Sequence, residues 1–465
     1  MPSHSRLSLS VVLFSALIGA LSTAGAASAT DLEFVGELHF TNDPGGCGGG
    51  PTGGSDVWGY TAPDGTEYAI MGVLEGVAVV RVPEMEVIDV IPGPANFDCY
   101  YHRDIKTYGH YAYITNEMVG TNEGLIILDL QFLPDHVEYV GSYPDFSITS
   151  HNLNIDTATG YAYLQNSGGV RIVSLADPVA PVDVKFISIT GVHDVFAQND
   201  RLYVSEGFTG KFSIWDVTDK QNPVRLCQKT IPNAGYSHNI WASADDRYFM
   251  TTEETTGKTT KMWDALDPTN PVLLGEWLGG NGLAHNTQLM GDFAFIAHYS
   301  YGISVVDISD PNAPVEVGHY DTYPAHDNAA FVGCWGAYPY TQSGYVYASD
   351  IEGDLVVLRW QSASSVPDLS ATSALFQAFP NPSRAETTLR YRTEDASTVR
   401  LEVFSAAGER VREIAEGAVS AGMHEASWDG RDALGRDVPG GAYFLRLTVD
   451  GPQGFEATRK IVRTR

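Results

Sequence analysis

The stretch GISVVDISDPNAPVEVG at residues 302–318 indicates how this chain folds. Its first half alternates apolar and polar residues, a turn-forming Asp-Pro-Asn segment follows, and the second half alternates again. Period-two alternation interrupted by Asp, Asn and Pro is typical of two β-strands that are joined by a tight turn and bury one face. The stretch therefore predicts a β-hairpin.

The same phrase recurs along the chain. Each copy pairs an apolar strand with an Asp-containing turn, and a motif that returns about every 40 to 50 residues indicates a repeat architecture. The copies are VRIVSLADP at 170–178, FSIWDVTD at 212–219, KMWDALDP at 261–268 and, less closely, LIILDL at 125–130.

Each repeat contains four short predicted strands, of which the second is the most regular. The third strands begin at a mean spacing of about 46 residues, and four-stranded units with this period are typical of a β-propeller. The sequence therefore predicts an all-β fold, with a seven-bladed β-propeller over residues 30–360. The seven second strands read YAIM at 68–71, YAYI at 111–114, YAYL at 161–164, LYVS at 202–205, YFMT at 248–251, FAFI at 293–296 and YVYA at 345–348.

The last repeat ends with VVLRW at 356–360 and has no fourth strand of its own. The N-terminal segment LEFVGEL at 32–38 resembles VEVGHY at 315–320, which is a predicted fourth strand. We therefore expect the N-terminal strand to complete the last blade and close the ring, which would remove exposed sheet edges.

The two ends of the chain differ from the repeats. Residues 1–29 resemble a secretory signal peptide, with Arg6, an apolar stretch and an Ala27-Ser28-Ala29 cleavage site. Residues 361–374 are typical of a linker, and about seven short strands over 375–465 predict an immunoglobulin-like β-sandwich. We expect an exported protein without a transmembrane segment, because no other run approaches about 20 apolar residues.

Charge and cysteine content limit the function classes. The net charge of −29 disfavours nucleic acid and anionic lipid as partners. The four cysteines form no Cys-x-x-Cys pair, which argues against a zinc ribbon. Cys227 lies in an alternating segment and is expected to be a buried free thiol. Cys47 and Cys99 each precede the first strand of a repeat, so their loops should be neighbours, and we expect a disulfide between them.

Histidines and acids recur where they can meet. A polar pair, usually beginning with His, precedes the first strand of most repeats, and the loop between strands two and three often carries an acid. In propellers both loops open on the same face, so these side chains should surround one mouth of the central channel. The candidate ligand or metal residues are His102, Asp104, Glu117, His151, His193, Asp194, Glu206, His238, Glu253, His285, His298 and His326.

Three roles are open to these residues. Imidazole with carboxylate suits Zn or Mn, whereas oxygen ligands suit Ca, and a metal-bound water would permit hydrolysis. A residue type that recurs in every repeat is more often structural, so we favour histidines that bridge to a neighbouring blade over metal or ligand binding, and both over catalysis. Gly-x-Ser-x-Gly and His-Glu-x-x-His motifs are absent from the sequence, so nothing in it supports a serine hydrolase or a zincin-type metalloprotease.

The repeated phrase resembles the LVIVD repeat. Its arrangement over residues 31–360, with the closing segment FVGCWGAYP at 331–339, resembles the bacterial "choice-of-anchor B" family of secreted propeller-like proteins with varied C-terminal anchors. The C-terminal part resembles the immunoglobulin-like domain related to flagellar hook-capping proteins and the type IX secretion sorting domains. The matching segments there are FPNP at 379–382, VFSAAGERV at 403–411, WDG at 428–430 and GGAYF at 440–444.

These resemblances imply export and surface attachment, and they imply no reaction. We therefore expect a secreted or surface-displayed binding protein that meets a protein, glycan or small ligand at the propeller face and the export machinery through its C-terminal domain. The alternative is a metal-dependent hydrolase or lactonase-like enzyme. An enzyme should show a single cluster of three or four ligands at bonding distance. A scaffold should show equivalent histidines, each hydrogen-bonded to its own blade.

Overall fold

The fold is described from a computed structural model of the chain. The structure describes residues 32–40, 53–93, 104–117, 124–143, 149–326, 328–360, 374–375, 383, 387–393, 396–406, 408–420, 422–450 and 455–463. Within these ranges all the extended regular structure is β-strand, and no helix long and apolar enough to cross a membrane is found. The expected signal peptide, nearly all of the expected linker and the residues Cys47, Cys99 and His102 lie outside the described residues.

Seven four-stranded antiparallel sheets occupy the described part of residues 32–360. Six of them use four consecutive strands, as the repeat period predicts. The first three are β2 (Gly54–Thr61), β3 (Glu67–Val73), β4 (Gly76–Val82) and β5 (Glu86–Pro92); β6 (Ile105–Tyr108), β7 (Tyr111–Ile114), β8 (Leu125–Asp129) and β9 (Glu138–Tyr143); and β10 (Leu153–Asp156), β11 (Tyr161–Asn166), β12 (Gly169–Ser174) and β13 (Val182–Ser188). The next three are β14 (Val195–Gln198), β15 (Arg201–Ser205), β16 (Lys211–Asp216) and β17 (Val224–Thr230); β18 (Ser237–Ala242), β19 (Tyr248–Glu253), β20 (Thr260–Asp264) and β21 (Val272–Trp277); and β22 (Thr287–Met290), β23 (Phe293–Ala297), β24 (Ile303–Asp307) and β25 (Val315–Tyr320).

The remaining sheet joins the two ends of this region. It consists of β26 (Cys334–Tyr338), β27 (Tyr345–Asp350), β28 (Asp354–Trp360) and, as its fourth strand, β1 (Leu32–His39). Strands β1 and β28 are antiparallel, with Leu32 opposite Trp360. The pairing of the N-terminal strand with the last repeat, expected from the sequence, is thus confirmed.

Strand β1 also has the local geometry of the other fourth strands. In β25, Gly318 and Glu316 face consecutive residues of β24, so Val317 is an extra residue that forms a bulge. In β1 the register shifts in the same way between Phe34 and Gly36, so Val35 is the extra residue. The sequence similarity between the two segments therefore reflects an equivalent position in an equivalent sheet.

The first strands of the sheets follow one another around a closed circle. Strand β2 contacts β6, β6 contacts β10, and the series continues through β14, β18 and β22 to β26, which contacts β2 again. Hydrophobic side chains fill the spaces between neighbouring sheets. Phe249 of β19, for example, meets the edge of Phe212 of β16 in the neighbouring sheet, with ring centroids 5.2 Å apart. Sheets arranged in this way form a β-propeller.

The Asp residues of the repeated phrase form turns. Asp307 Oδ1 accepts a hydrogen bond from the backbone N–H of Ser309 at 2.8 Å, and Asp310 Oδ1 accepts one from Asn312 at 3.0 Å. These are Asx turns, in which the Asp side chain accepts the backbone N–H of the residue two positions later and so mimics a backbone turn. Gly302, at the start of the same hairpin, has a φ of +86°, and a Cβ there would lie 2.2 Å from the carbonyl oxygen of Tyr320. Glycine is required at that position.

The C-terminal part has its own two sheets and its own core. Trp428, 1% exposed, lies in this core together with Leu401 and Leu445. The three-stranded sheet contains β29 (Ala374–Leu375), β30 (Thr387–Thr393) and β33 (Gly422–Trp428), and the four-stranded sheet contains β31 (Ser397–Ser405), β32 (Arg410–Val419), β34 (Gly441–Asp450) and β35 (Phe455–Arg463).

The described cysteines are both free. Cys334 is buried, whereas Cys227 is only half-buried. The prediction that Cys227 is a free thiol is confirmed, but the prediction that it is buried is wrong. Strand β17 is the outer strand of its sheet, so the side chains of this strand are partly open to solvent.

Candidate functional site

The asparagines that follow His151 and His238 each tie one first strand to the next. Asn152 Oδ1 accepts the backbone N–H of Val195 at 2.9 Å, and Asn239 Oδ1 accepts that of Thr287 at 3.2 Å. Carboxylates do the same in the first two sheets: Asp56 Oδ2 accepts from Ile105 at 3.1 Å, and Asp104 Oδ2 accepts from Leu153 at 2.9 Å. These Asp and Asn residues therefore have a structural role.

Four histidines from successive repeats form a continuous row, which we call the histidine arc: His151, His193, His238 and His285. The ring centroids are 4.4 Å apart for His151 and His193, 4.2 Å for His193 and His238, and 4.2 Å for His238 and His285. His238 and His285 are each 1% exposed. The arc ends against Trp335, whose ring centroid lies 4.4 Å from that of His285.

Acids contact the first half of the arc. Glu117 Oε1 lies 3.1 Å from His151 Nδ1, and Asp194 Oδ1 lies 3.0 Å from His193 Nδ1. Asp194 also lies 3.9 Å from the nearest nitrogen of both His151 and His238. The arc thus combines four imidazoles with these two carboxylates, and a third carboxylate oxygen, Glu254 Oε1, lies 3.8 Å from His238 Nε2.

The histidines of the arc do not make equivalent contacts. His193 Nδ1 and His285 Nδ1 lie 3.3 Å and 2.5 Å from carbonyl oxygens of the next repeat, those of His238 and Trp335. Those two contacts are of the bridging kind expected for structural histidines. His151 is instead oriented by Glu117, and His238 Nδ1 has no hydrogen-bond partner within the described residues.

The protonation states along the arc also differ. Burial, together with the neighbouring His285 and His193, holds the pKa of His238 well below its usual value, and burial lowers the pKa of His285 to about 3. Burial opposes protonation of His151 too, but the bonded Glu117 outweighs it and raises the pKa to about 9. Burial alone would raise the pKa of Asp194, yet the facing imidazoles lower it far below its usual range.

The arc borders a narrow cavity of about 40 Å³ within the channel. Its walls include His151, Asp194, His238 and His285, and also Lys106 and Trp335. A single water needs roughly 10–15 Å³, whereas pockets for organic ligands measure roughly 300–1,000 Å³. The space fits an ion or a few waters and is far too small for a sugar or a lactone.

A buried lysine occupies the other side of the cavity. Lys106, 6% exposed, donates to Asp104 and lies 3.3 Å from Asp56 Oδ2, with its ammonium group 4.3 Å from the ring centre of Trp58. Burial, partly offset by Lys106 and reinforced by Asp56, raises the pKa of Asp104. Asp104 is therefore engaged by an ammonium group and by backbone.

The other candidates lie outside the arc. Glu253 forms a buried ion pair with Lys261 and accepts the N–H of Gly235, so its charge is already compensated. Glu206 Oε2 accepts from Gln228 at 2.6 Å. His298 is buried against Trp277 and Tyr301, and His326 is exposed.

Sequence reasoning missed the two lysines that neutralise these acids. Lys106 stands two residues after Asp104, and alternation along a strand places both side chains on one face. The contact between them was therefore predictable from the sequence. Lys261 opposes Thr251 across the β19–β20 hairpin, two residues from Glu253. That contact depends on strand register, which the sequence did not give.

Comparison with known families agrees with this fold. Residues 101–130 and 281–322 match the LVIVD repeat, and residues 382–452 match the FlgD Ig-like domain. A search of curated proteins finds none whose sequence matches this chain.

Several solved structures are similar to the chain. The crystal structure of RRP9 WD40 repeats gives a TM-score of 0.50 at 11% identity and covers 72% of this chain and 98% of that one. A chain of the Mitotic Checkpoint Complex gives 0.52 at 12% identity, covering 75% and 98%. Raptor of Chaetomium thermophilum gives 0.53 at 9% identity, covering 71% of this chain and 29% of that one. The chain therefore combines a β-propeller that carries LVIVD repeats with a C-terminal FlgD Ig-like domain.

Proposed function

We propose that this protein is a non-catalytic binding scaffold, secreted or displayed at the cell surface. In this proposal the sheets over residues 30–360 form a seven-bladed propeller that binds a partner, and residues 375–465 form the sorting or anchoring domain. The observation that carries the proposal is the size of the central cavity, about 40 Å³. In this proposal that cavity holds an ion or water, and the partner binds the outer faces of the propeller.

The cavity also weighs against a hydrolase or lactonase-like enzyme. Such an enzyme needs a nucleophile and an organic substrate in the same chamber, at roughly 3 Å from each other. Within the described residues the imidazoles and carboxylates surround a space that accepts an ion or water only. Many of the polar groups that could bind a substrate already hold backbone N–H groups of the neighbouring sheet.

The face around the arc offers contact area for a protein partner. Phe208 is 92% exposed, and its ring stands 4.6 Å from Tyr236, which in turn lies 5.0 Å from His193. Phe331 is 60% exposed, and its ring stands 5.2 Å from Tyr299. Exposed aromatic side chains at loop tips, backed by a second ring, are typical of protein contact sites. A glycan or a small ligand is the other class of partner for this face.

Export and surface attachment rest on the two ends of the chain. Residues 1–29 have the features of a signal peptide, and the match of residues 382–452 to the FlgD Ig-like domain agrees with the resemblance to sorting domains. We extend the proposal to a choice-of-anchor B role, in which the C-terminal domain engages export machinery of the type IX kind.

The test compares the full chain with a version that ends at residue 373, in the native cells. We expect labelling of intact cells with an impermeant reagent to detect the full chain, and the shortened chain to be released or retained inside while its propeller stays folded. Identical locations for both versions would contradict a sorting role. Turnover of ester or lactone substrates that is lost with His193→Ala would contradict the non-catalytic assignment.

A further inference from the structure

We infer that His151, His193 and His238 bind one divalent transition-metal ion of the zinc class, which links three neighbouring sheets. Each ring offers one nitrogen, and these three nitrogens all lie within 4.8 Å of one another. Zn–N bonds of about 2.0–2.1 Å in a tetrahedron place ligand nitrogens about 3.3 Å apart. Metal binding therefore requires the nitrogens to approach one another from a separation of at most 4.8 Å. The proposed scaffold function does not depend on this metal site.

Two of the rings have a carboxylate next to Nδ1. His151 Nδ1 lies 3.1 Å from Glu117 Oε1. His193 Nδ1 lies 3.0 Å from Asp194 Oδ1 and 3.3 Å from the carbonyl oxygen of His238. With the proton held on Nδ1, the lone pair remains on Nε2. Metal-ligating histidines are commonly held by a carboxylate or carbonyl in this manner, which fixes the tautomer and the ring orientation.

The third ring has an unsatisfied polar atom. His238 is 1% exposed, and its Nδ1 has no hydrogen-bond partner within the described residues. A buried polar atom without a partner costs roughly 1–3 kcal/mol. A metal ion bound to this nitrogen would provide the interaction that His238 Nδ1 lacks within the described residues.

The charges of the site suit a dication. Glu117 and Asp194 contribute two carboxylates beside the three imidazoles, and Asp194 is buried. Of the five acidic candidates from the sequence, these two contact histidines of the proposed site. Because a buried charge is stable only when it is compensated, an ion of charge +2 and two carboxylates form a neutral unit.

The donor set selects the kind of ion. Three imidazole nitrogens suit zinc and its neighbours in the first transition row, whereas calcium takes six to eight oxygen ligands. The cavity beside the rings, about 40 Å³, has room for a water as the fourth ligand. The ion would act as a cross-link, since no organic substrate fits beside it.

A second group, formed by His238, Glu254 and His285, competes for His238. A neutral imidazole has a single lone pair for a metal, so His238 serves one group at a time. Glu254 accepts a hydrogen bond from the hydroxyl of Tyr299, which is itself 1% exposed. Glu254 is thus already engaged by that hydroxyl. The group with His151 and His193 consists of imidazole nitrogens alone.

Zinc binding by the purified mature chain, stripped with a chelator, tests the site. We expect isothermal titration with Zn²⁺ to show one ion per chain, and Co²⁺ to give the intense visible absorption of a tetrahedral nitrogen site. His151→Gln should weaken zinc binding by about 100-fold or more, and Glu117→Gln by about 10- to 100-fold. His285→Gln removes a ligand of the competing group, together with the contact of its Nδ1 to the Trp335 carbonyl, and should leave the zinc affinity within about threefold.

Three outcomes would overturn the inference. One is the absence of stoichiometric zinc binding. Another is an equal or larger loss with His285→Gln than with His151→Gln. The third is a weak, octahedral Co²⁺ spectrum. Glu117 is partly exposed, so Glu117→Gln keeps the test decisive if His151→Gln fails to fold.

Discussion

The imidazole rings of His193 and His238 lie 4.2 Å apart, although the two residues are 45 positions apart in the chain. The distance along the sequence is one repeat, and the distance in space is one step from sheet to sheet. Because the sheets follow a closed circle, four successive repeats bring the same kind of side chain to the same face. The histidine arc is therefore a product of the repeat period.

The ties between first strands should contribute to stability. Asn152→Ala removes the acceptor of the Val195 N–H, a buried group, and should lower the free energy of unfolding by about 1–3 kcal/mol. Asn222→Ala, at an exposed turn, serves as the matched control and should change it by less than about 0.5 kcal/mol. Urea unfolding followed by tryptophan fluorescence measures both. Equal effects would contradict the structural role of Asn152.

Much of the propeller could be predicted from the sequence because it depends on local alternation. The segments YAYI at 111–114 and FAFI at 293–296 coincide with strands β7 and β23 to within one residue. The pairing of β1 with β28 was also predictable, because Val35-Gly36 repeats Val317-Gly318. The expectation rests on spacing along the strand, and the structure preserves that spacing.

The candidate site was less predictable because it depends on register and on which groups are already engaged. The sequence indicated that His193 and Glu253 face the same channel mouth, but only the structure shows that Lys261 neutralises Glu253. Likewise, the sequence repeat made His298 and His238 equally strong candidates, yet only His238 of these two belongs to a group of possible metal ligands. Packing between sheets decided these outcomes.

The closing strand should depend on its buried side chain. Leu32 is 6% exposed and packs with Phe295, whereas Phe34 in the same strand is 48% exposed. Leu32→Asp places a charge in that core and should destabilise the propeller by several kcal/mol, whereas Phe34→Asp should cost about 1 kcal/mol or less. Differential scanning calorimetry of both variants checks this. Similar losses in the two variants would place Leu32 outside the core.

His298 should make the propeller sensitive to acid. Burial, with a smaller effect of His319, lowers its pKa from 6.5 to about 3. The folded protein therefore binds fewer protons than the unfolded chain, so stability is fully present above pH 6.5 and falls as the pH drops towards 3. By pH 5 the loss should be about 2 kcal/mol.

The variant His298→Phe removes that titration. The decrease in unfolding free energy between pH 8 and 5 should become smaller by about 2 kcal/mol, whatever the absolute stability of the variant. His136 is exposed, so His136→Phe should leave the decrease unchanged. A pH dependence that is the same in His298→Phe and the original chain would show that His298 is not the responsible group.

Lys106 should be required because it compensates two buried carboxylates. Lys106→Met leaves Asp56 and Asp104 facing each other without a cation and should cost about 3–5 kcal/mol. The double variant Lys106→Met/Asp104→Asn removes one charge and should recover part of that loss. Urea unfolding at pH 7 compares the two. A double variant that is less stable than Lys106→Met would contradict this explanation.

The central claim is that the N-terminal strand closes the ring, and a pair of cysteines tests it most directly. Glu33 and Arg359 face each other across β1 and β28, and Cα atoms of such partners lie about 4.5–5.5 Å apart, which a disulfide can span. Glu33 and Asp354 are five residues out of register, at about 17 Å. Under mild oxidation, peptide mass spectrometry should find the Glu33→Cys/Arg359→Cys cross-link and no Glu33→Cys/Asp354→Cys cross-link. Failure of the first pair, or equal cross-linking of both, would contradict the closed ring.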